Sequence, residues 1–570
     1  MGGTDSQKKQ SKGIISEVIL INIIKEKIWQ SLKALKLKAP PKSKINVEYP
    51  KHKNHGDYAS NIALNLAKKI GLTPMTLAKK LATHLSADPL FSEVTDAKPG
   101  FINFHIANKV LYLKLQDINK LGLKFGTNYE RGAGKRVLIE FVSANPTGPL
   151  NVVNARAAAF GDSLANILIA QGYYVEREYY INDAGHQIEL LVESIENELN
   201  RLDAIKVEEL EEGYKGEYIT EIAAHILETE GTIIHQLSKR DKAQKISDLA
   251  LEILIYDQKQ TLSSFKVYFD NWISENELRQ KGSVEDVLAF LSETGKIYDK
   301  DGAVWMCSSE FGDSKDRVIM RSDGTVTYII PDLAYHITKY KRGFDRIIDI
   351  LGPDHHGHIP KLKAGIEILG YKPSLMHFIL LQQVNILMND EKVKMSKREG
   401  KLITLKQLIN EVGTDAARFF FLMRKSNTPL DFDIELAKKR TADNPVYYVQ
   451  YAHARIASIE KNARSERLRV RDFKPEYLQR LGHDEEFDII RTLMKYPELI
   501  AHISSTYDVN LLTSYLIDLA GEFHRYYQKY KIVNKRYKRL SLARLFLCKA
   551  VQTVIKNGLA LLGISAPNKM

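Results

Sequence analysis

The stretch Asn145–Asp162, NPTGPLNVVNARAAAFGD, decides how the rest of the chain is read. Just before it, VLIEFV (Val137–Val142) is a short apolar run of the kind a buried parallel strand requires. Pro146, Gly148 and Pro149 then make a polar turn, and a helix begins near Asn151. Phe160, Leu164, Ile167 and Leu168 share one face of that helix, and Gly172 ends it. YVEREYYI (Tyr174–Ile181) is the next strand. Much later come the strand RIIDIL (Arg346–Leu351), the helix IPKLKAGIEILG and the strand MHFILLQ (Met376–Gln382). This alternation predicts a doubly wound parallel sheet with helices on both faces. Ligands of such sheets sit beyond the carboxyl ends of the strands, where helix N-termini offer N–H groups to anions. The stretch is therefore placed for a nucleotide, although taken alone an ordinary strand–turn–helix explains it at least as well.

Around this core, 570 residues leave room for about three to five structural units. A hydrophobic content of 44% and a charged content of 27% are those of a globular protein, and no run of about 18 apolar residues would span a membrane. The leading MGGTDSQKKQSK is polar and lysine-rich, which reads as a disordered lead over residues 1–12 and not as a secretory signal. The two cysteines, Cys307 and Cys548, exclude a disulfide framework and a cysteine zinc site, and fit a reducing cytoplasm. Net charge is +12, which favours a polyanionic partner only weakly.

Residues 13–125 form a first, α+β unit. Ile14–Leu37 has helical apolar spacing, His55–Gly71 a turn and a helix closed by Gly71, and KPGFINFHI (Lys98–Ile106) a strand. RGAGK (Arg131–Lys135) links it to the α/β unit, 130–435, which a helical insertion interrupts at about 190–309. From about Asp415 the pattern is helical to the end, with 436–570 as an all-α unit. There FHRYYQKYKIVNKRYKRL (Phe523–Leu540) interleaves aromatics with Lys and Arg. It is either a solvated face whose tyrosines pack inward or a surface for nucleic acid.

The second motif is KVKMSKREGKLITL, Lys392–Leu405. Lys394 and Lys397 flank Met395-Ser396, with Gly400 close behind, about 245 residues after the Pro-rich turn. Such a doubly cationic loop can close over a triphosphate and stabilise charge developing on pyrophosphate.

Together the two motifs resemble the signatures of class I aminoacyl-tRNA synthetases. The resemblance to the bacterial-type arginyl-tRNA synthetases runs nearly the whole length. It is carried by GDYASNIA, EFVSANPTGPL, REYYINDAG, YKGEY, RVIMRSDGTVTY, GPDHHGH, KMSKREG, DAARFFFL, YVQYAHARI, FHRYY and the terminal LLGISAPNKM, in that order. It implies a Rossmann-type catalytic domain, an N-terminal domain against the tRNA elbow and an anticodon-binding C-terminal bundle. It also implies a monomeric cytoplasmic enzyme that uses ATP with Mg2+, L-arginine and arginine tRNA, without structural zinc. Arginine would go to Glu140, Ser143, Asn145, Tyr328, Asp332 and His355, with Asp332 on the guanidinium and Ser143 and Asn145 at the α-amino end. ATP would meet Pro146, Gly148, Asn151, Val153, Asn154, Gly352, Asp354, Lys394, Met395, Ser396 and Lys397. The tRNA would meet Asp57, Tyr58, Asn61, Tyr451, Arg455, Arg525, Tyr526 and Met570. The residues suit this substrate, because a planar guanidinium wants carboxylates and carbonyls arranged as a fork.

The cluster His355-His356-x-His358, with His336 upstream, lacks the spacing of a zinc site. The departure from the family is at the helix start. Where members carry His-x-Gly-His, this chain has Asn151, Val152, Val153 and Asn154. Asparagine keeps an N–H donor but is never cationic, a change worth on the order of 1–2 kcal/mol. Val153 would crowd a base that lies on bare backbone. The expected reading is an active ligase with Asn151, Asn154, Lys394 and Lys397 as its catalytic groups. A catalytically weak paralogue that binds tRNA, and a pure RNA-binding regulator, stand beside it.

Overall fold

The computed structural model describes residues 19–204, 213–389, 391–393 and 403–570. The lead at 1–12 and the loop residues Lys394, Met395, Ser396 and Lys397 lie outside the described residues.

Five parallel strands form the central sheet: β4 (Arg136–Glu140), β5 (Tyr174–Ile181), β6 (Asn271–Ser274), β10 (Arg346–Leu351) and β11 (Met376–Leu380), in the order β11-β10-β4-β5-β6. Alternation along the strands loads both faces. Val137, Ile139, Ile348 and Ile350 join one core, Leu138 and Ile347 the other. Helix α1 (Val152–Ala170) covers the first face; α2 (Ile329–Lys341) and α3 (Ile359–Ile368) cover the second. The chain winds outward from β4 to β6, then returns to the other side of β4 with β10. The reversal opens a crevice beyond the carboxyl ends of β4 and β10, where a doubly wound sheet binds its ligand.

The first unit is α+β, with a three-stranded antiparallel sheet of β1 (Tyr58–Ser60), β3 (Phe101–Ile106) and β2 (Phe91–Ala97). Residues 445–561 are a bundle of long helices whose apolar side chains run into the same core as the first face of the central sheet.

Two expectations need correction. The interruption at about 190–309 is not wholly helical. Its helices Glu217–Ile234 and Lys239–Ser264 have a core of their own, but Asn271–Ser274 is the edge strand β6, and β8 (Ala303–Met306) pairs with β7 (Ile297–Lys300) on one side and β9 (Arg317–Met320) on the other in a small antiparallel sheet. Four mixed residues carry no periodicity; only the backbone of β5 makes them a strand. The chain after Asp415 is not wholly helical either. β14 (Leu430–Asp433) pairs in parallel with β12 (Val384–Met388), which also pairs with β13 (Glu391–Lys392). Among the described residues no helix is long and apolar enough to cross a membrane.

Candidate active site

Beyond Glu140 the backbone enters a strained turn. Val142 and Ser143 have φ of 72° and 38°, a left-handed conformation unfavourable for any side chain and most of all for a β-branched one. The turn is held from outside. Tyr179 Oη accepts the Ala144 N–H at 3.1 Å and donates to Gln258 Oε1 at 2.8 Å. The buried Gln258 amide then donates to the carbonyls of Asn145 (3.3 Å) and Gly148 (3.1 Å), and Tyr218 Oη donates to that of Thr147 at 3.0 Å. The sequence alone did not single out Gln258, and held Tyr218 only within YKGEY, because the partners of both lie 71 or more residues away and leave no local pattern. Asn145 donates its amide to Gln187. Pro146 is buried within the turn.

The asparagines at the start of α1 form a capping box. Asn151 Oδ1 accepts the N–H groups of Val153 (2.9 Å) and Asn154 (3.2 Å), and Asn154 Oδ1 accepts that of Asn151 at 3.0 Å. Backbone N–H donors demand the oxygens on the inside, so both side-chain NH2 groups face away from the helix end. Val153 is 44% exposed beside them. The chain returning from the lysine motif is fastened to this point: Thr404 bridges to Asn151, and Leu405 N–H donates to the Leu150 carbonyl at 2.8 Å.

Across the crevice, Tyr328 and Asp332 lie one turn apart at the start of α2, as expected. Their neighbours were not foreseen. His358 Nε2 meets Asp332 Oδ2, and Lys361 Nζ donates to Tyr328 Oη at 2.6 Å. His355, expected in the pocket, is exposed and faces Asp354 at 3.6 Å. The signal was present in GPDHHGH, but a short 3-10 turn over Pro353–Gly357 rotates the third histidine, not the first, toward Asp332.

Glu140 also differs from expectation. Register places Asp349, Glu140 and Glu178 side by side on β10, β4 and β5. Three adjacent buried acids require cations. Lys339 Nζ meets Glu140 and Asp349, and Arg342 meets Glu178. Glu140 is thereby paired inside the protein, with Lys339 on one carboxylate oxygen and Ser143 on the other. Burial pushes the Asp349 carboxyl up, but Lys339 and His336 outweigh it and hold it at about 2. Burial and Lys339 pull His336 down; its contact with Asp349 and the charge of Asp332 win and raise it. The Asp349 contribution to stability is complete above about pH 4 and, at on the order of 2 kcal/mol, is lost as the pH falls toward 2. That of His336 is complete below about pH 6.5 and is lost as the pH rises through its raised folded value. Urea unfolding followed across pH should show both slopes, and Asp349→Asn should remove the acid one.

The chain matches the family model for class I tRNA synthetase (R) catalytic domains over residues 118–456, that for arginyl-tRNA synthetase N-terminal domains over 22–106, and that for DALR anticodon-binding domains over 449–570. The chain belongs to the arginyl-tRNA synthetases. An arginine–tRNA ligase of Desulfosudis oleivorans is 44% identical over 529 residues, covering 92% of this chain and 95% of that one. One of Bacillus subtilis is 41% identical over 557 residues, covering 96% and 99%. The solved structure of Thermus thermophilus arginyl-tRNA synthetase superposes with a TM-score of 0.74 at 20% identity, covering 97% of this chain and 100% of that one, and so shares the fold.

Within this synthetase the residues expected on tRNA divide sharply. Asp57 pairs with Arg491 at 2.6 Å, and Tyr58 is buried with its hydroxyl donating to Glu498 at 3.4 Å, so both join the first unit to the C-terminal helices. Tyr526 is buried, its hydroxyl donating to Glu486 at 2.9 Å, which removes it from any RNA surface. Asn61 is half-buried and accepts from Asn65. Arg525 and Met570 are exposed, and Arg455 is stacked between Tyr451 (4.8 Å) and Tyr527 (4.9 Å).

Among the described residues one group could place three metal-ligand atoms together: Glu140, His336 and Asp349. It does not fit magnesium, because the Lys339 ammonium already lies on both carboxylates.

Proposed function

We propose that this chain is a working arginine–tRNA ligase. It joins L-arginine and ATP into arginyl-adenylate with release of pyrophosphate, then transfers the arginyl group to the 3′ end of arginine tRNA and releases AMP. Magnesium enters with the ATP. Asp332 and Tyr328 take the guanidinium, Ser143 and Asn145 the α-amino end, and Gly148, Asn151, Val153, Asn154, Gly352 and Asp354 the nucleotide. The loop lysines Lys394 and Lys397 stabilise the leaving pyrophosphate. Residues 13–125 hold the tRNA elbow, 130–435 carry out the chemistry and 436–570 read the anticodon, in a cytoplasmic monomer.

The observation that carries the active reading is the orientation of the two asparagine amides. Their oxygens cap the helix and their NH2 groups are left to donate outward at a helix N-terminus, the place for a phosphate. Arginine-dependent ATP–pyrophosphate exchange, with and without arginine tRNA, tests it. Exchange supports the ligase; its absence alongside retained tRNA binding assigns the chain to the weak paralogue.

Asn151→Asp separates capping from catalysis. Aspartate caps as well as asparagine, so thermal stability should stay within about 0.5 kcal/mol. A carboxylate in place of a donor should slow exchange about tenfold to a hundredfold. Full activity in Asn151→Asp would reduce Asn151 to a cap.

A further inference from the structure

Lys339 is fully buried, 0% exposed. Its ammonium lies 2.8 Å from Asp349 Oδ1 and also meets Glu140 Oε2, acids that are cross-strand neighbours on β10 and β4. Two paths leave it. Through Asp349 Oδ2 the first reaches His336 Nε2 at 2.9 Å, and His336 Nδ1 donates to the Asp332 carbonyl at 2.7 Å. Both ring nitrogens of His336 thus face acceptors, so the ring carries two protons. The second path runs from Glu140 Oε1, which accepts from Ser143 Oγ at 2.8 Å, and Ser143 Oγ accepts the Tyr180 N–H at 3.2 Å.

We propose that Lys339 is a positioning residue that sets the length of the amino-acid pocket, tying the turn that bears Asp332 to the strained turn of Ser143 and Asn145. This rests on the arginine-pocket reading above. Two acids and two cations balance, so the cluster is neutral as a whole. A buried ion cluster adds little net stability over apolar packing of equal volume. What it adds is direction, because each bond has a required geometry and the chain of bonds crosses the sheet where the crevice opens. Arginine has to touch both ends of that crevice at once, and reactivity falls about a hundredfold for a displacement of about 1 Å. A fixed span also selects length, since a cationic amino acid one methylene longer meets Asp332 with its α-carboxyl out of place.

The test uses the full-length protein with arginine tRNA and compares arginine with homoarginine. In Lys339→Met/Glu140→Gln, which removes one charge of each sign, the KM for arginine should rise about tenfold and the preference for arginine over homoarginine should shrink about tenfold, while the KM for ATP and tRNA affinity stay within about twofold. Asp349→Asn is the second variant. There His336 can give up its Nε2 proton and accept from the new amide, so buried charge stays balanced and the fold is kept. It should move the same two quantities in the same direction by a smaller factor. A purely structural role would lower thermal stability with arginine and ATP kinetics falling together and discrimination unchanged; that result overturns the proposal, as does an unchanged arginine KM in both variants. A wild-type protein without arginine-dependent exchange overturns instead the arginine-pocket reading itself.

Discussion

Asp332→Asn should lower kcat/KM for arginine in pyrophosphate exchange by about a hundredfold to several-thousandfold, the equivalent of roughly 3–5 kcal/mol for stripping the charge from one side of a desolvated pair. The change keeps the shape of the side chain. Asp332 stands in the first turn of α2, and its carboxyl carries a charge at neutral pH: burial pushes it up, but the hydrogen bond from His358 and the charges of His336, His358 and Lys339 hold it below the usual carboxylate range. In the structure His358 sits on that carboxylate. An incoming guanidinium, with five donors in a rigid fork, is a better partner than an imidazole. The KM for ATP should move by less than about threefold, because the contacts proposed for the nucleotide lie at the start of α1 and in the Gly352 turn. A loss shared equally by ATP and arginine would place Asp332 in the framework and not in the pocket.

The second large effect is on stability. Arg418 is 0% exposed and joins three parts of the chain. Its guanidinium donates to Asp162 at 2.6 Å, to the Leu562 carbonyl at 2.8 Å and to the Phe265 carbonyl at 3.0 Å. Gly563 has φ of 68°, and a Cβ there would come within 2.3 Å of the Arg418 guanidinium, so the approach demands glycine. Arg418→Met should reduce the unfolding free energy by about 3–5 kcal/mol, because it leaves Asp162 buried with Arg177 as its remaining cation. Urea denaturation followed by circular dichroism reads this directly. Arg418→Met/Asp162→Asn should recover part of the loss, and a double variant no better than the single one would deny the coupling. DAARFFFL and LLGISAPNKM, two segments that carry the family resemblance, are thus joined by one side chain.

These two residues show how legibility divided. Asp332 was legible in its placement, which is local: four residues after Tyr328 on a helix, in a segment that carries the family resemblance. Arg418 lay within a matching segment, but its partners are 256 and 144 residues away in sequence, and no pattern names them. The same holds at the crevice. Asn151 and Asn154 could be placed at a helix start from their spacing, yet the inward turn of both oxygens follows from backbone N–H groups that only the folded helix presents. His358 was read in a cluster of three histidines, and a 3-10 turn decided which of them reaches Asp332.

By itself, then, the sequence determined the parallel strands β5 and β10 to the residue, the helix that opens at Asn151 and the family, since all of these depend on short-range periodicity or on matched segments. Only the tertiary structure decided that Glu140 is spent on Lys339, that Tyr58 and Tyr526 are interior, and that Asn271–Ser274 is a strand. The physical reason is common to all three. A buried charge, a buried hydroxyl and an edge strand are each defined by the partner that satisfies them, and that partner lies far away along the chain.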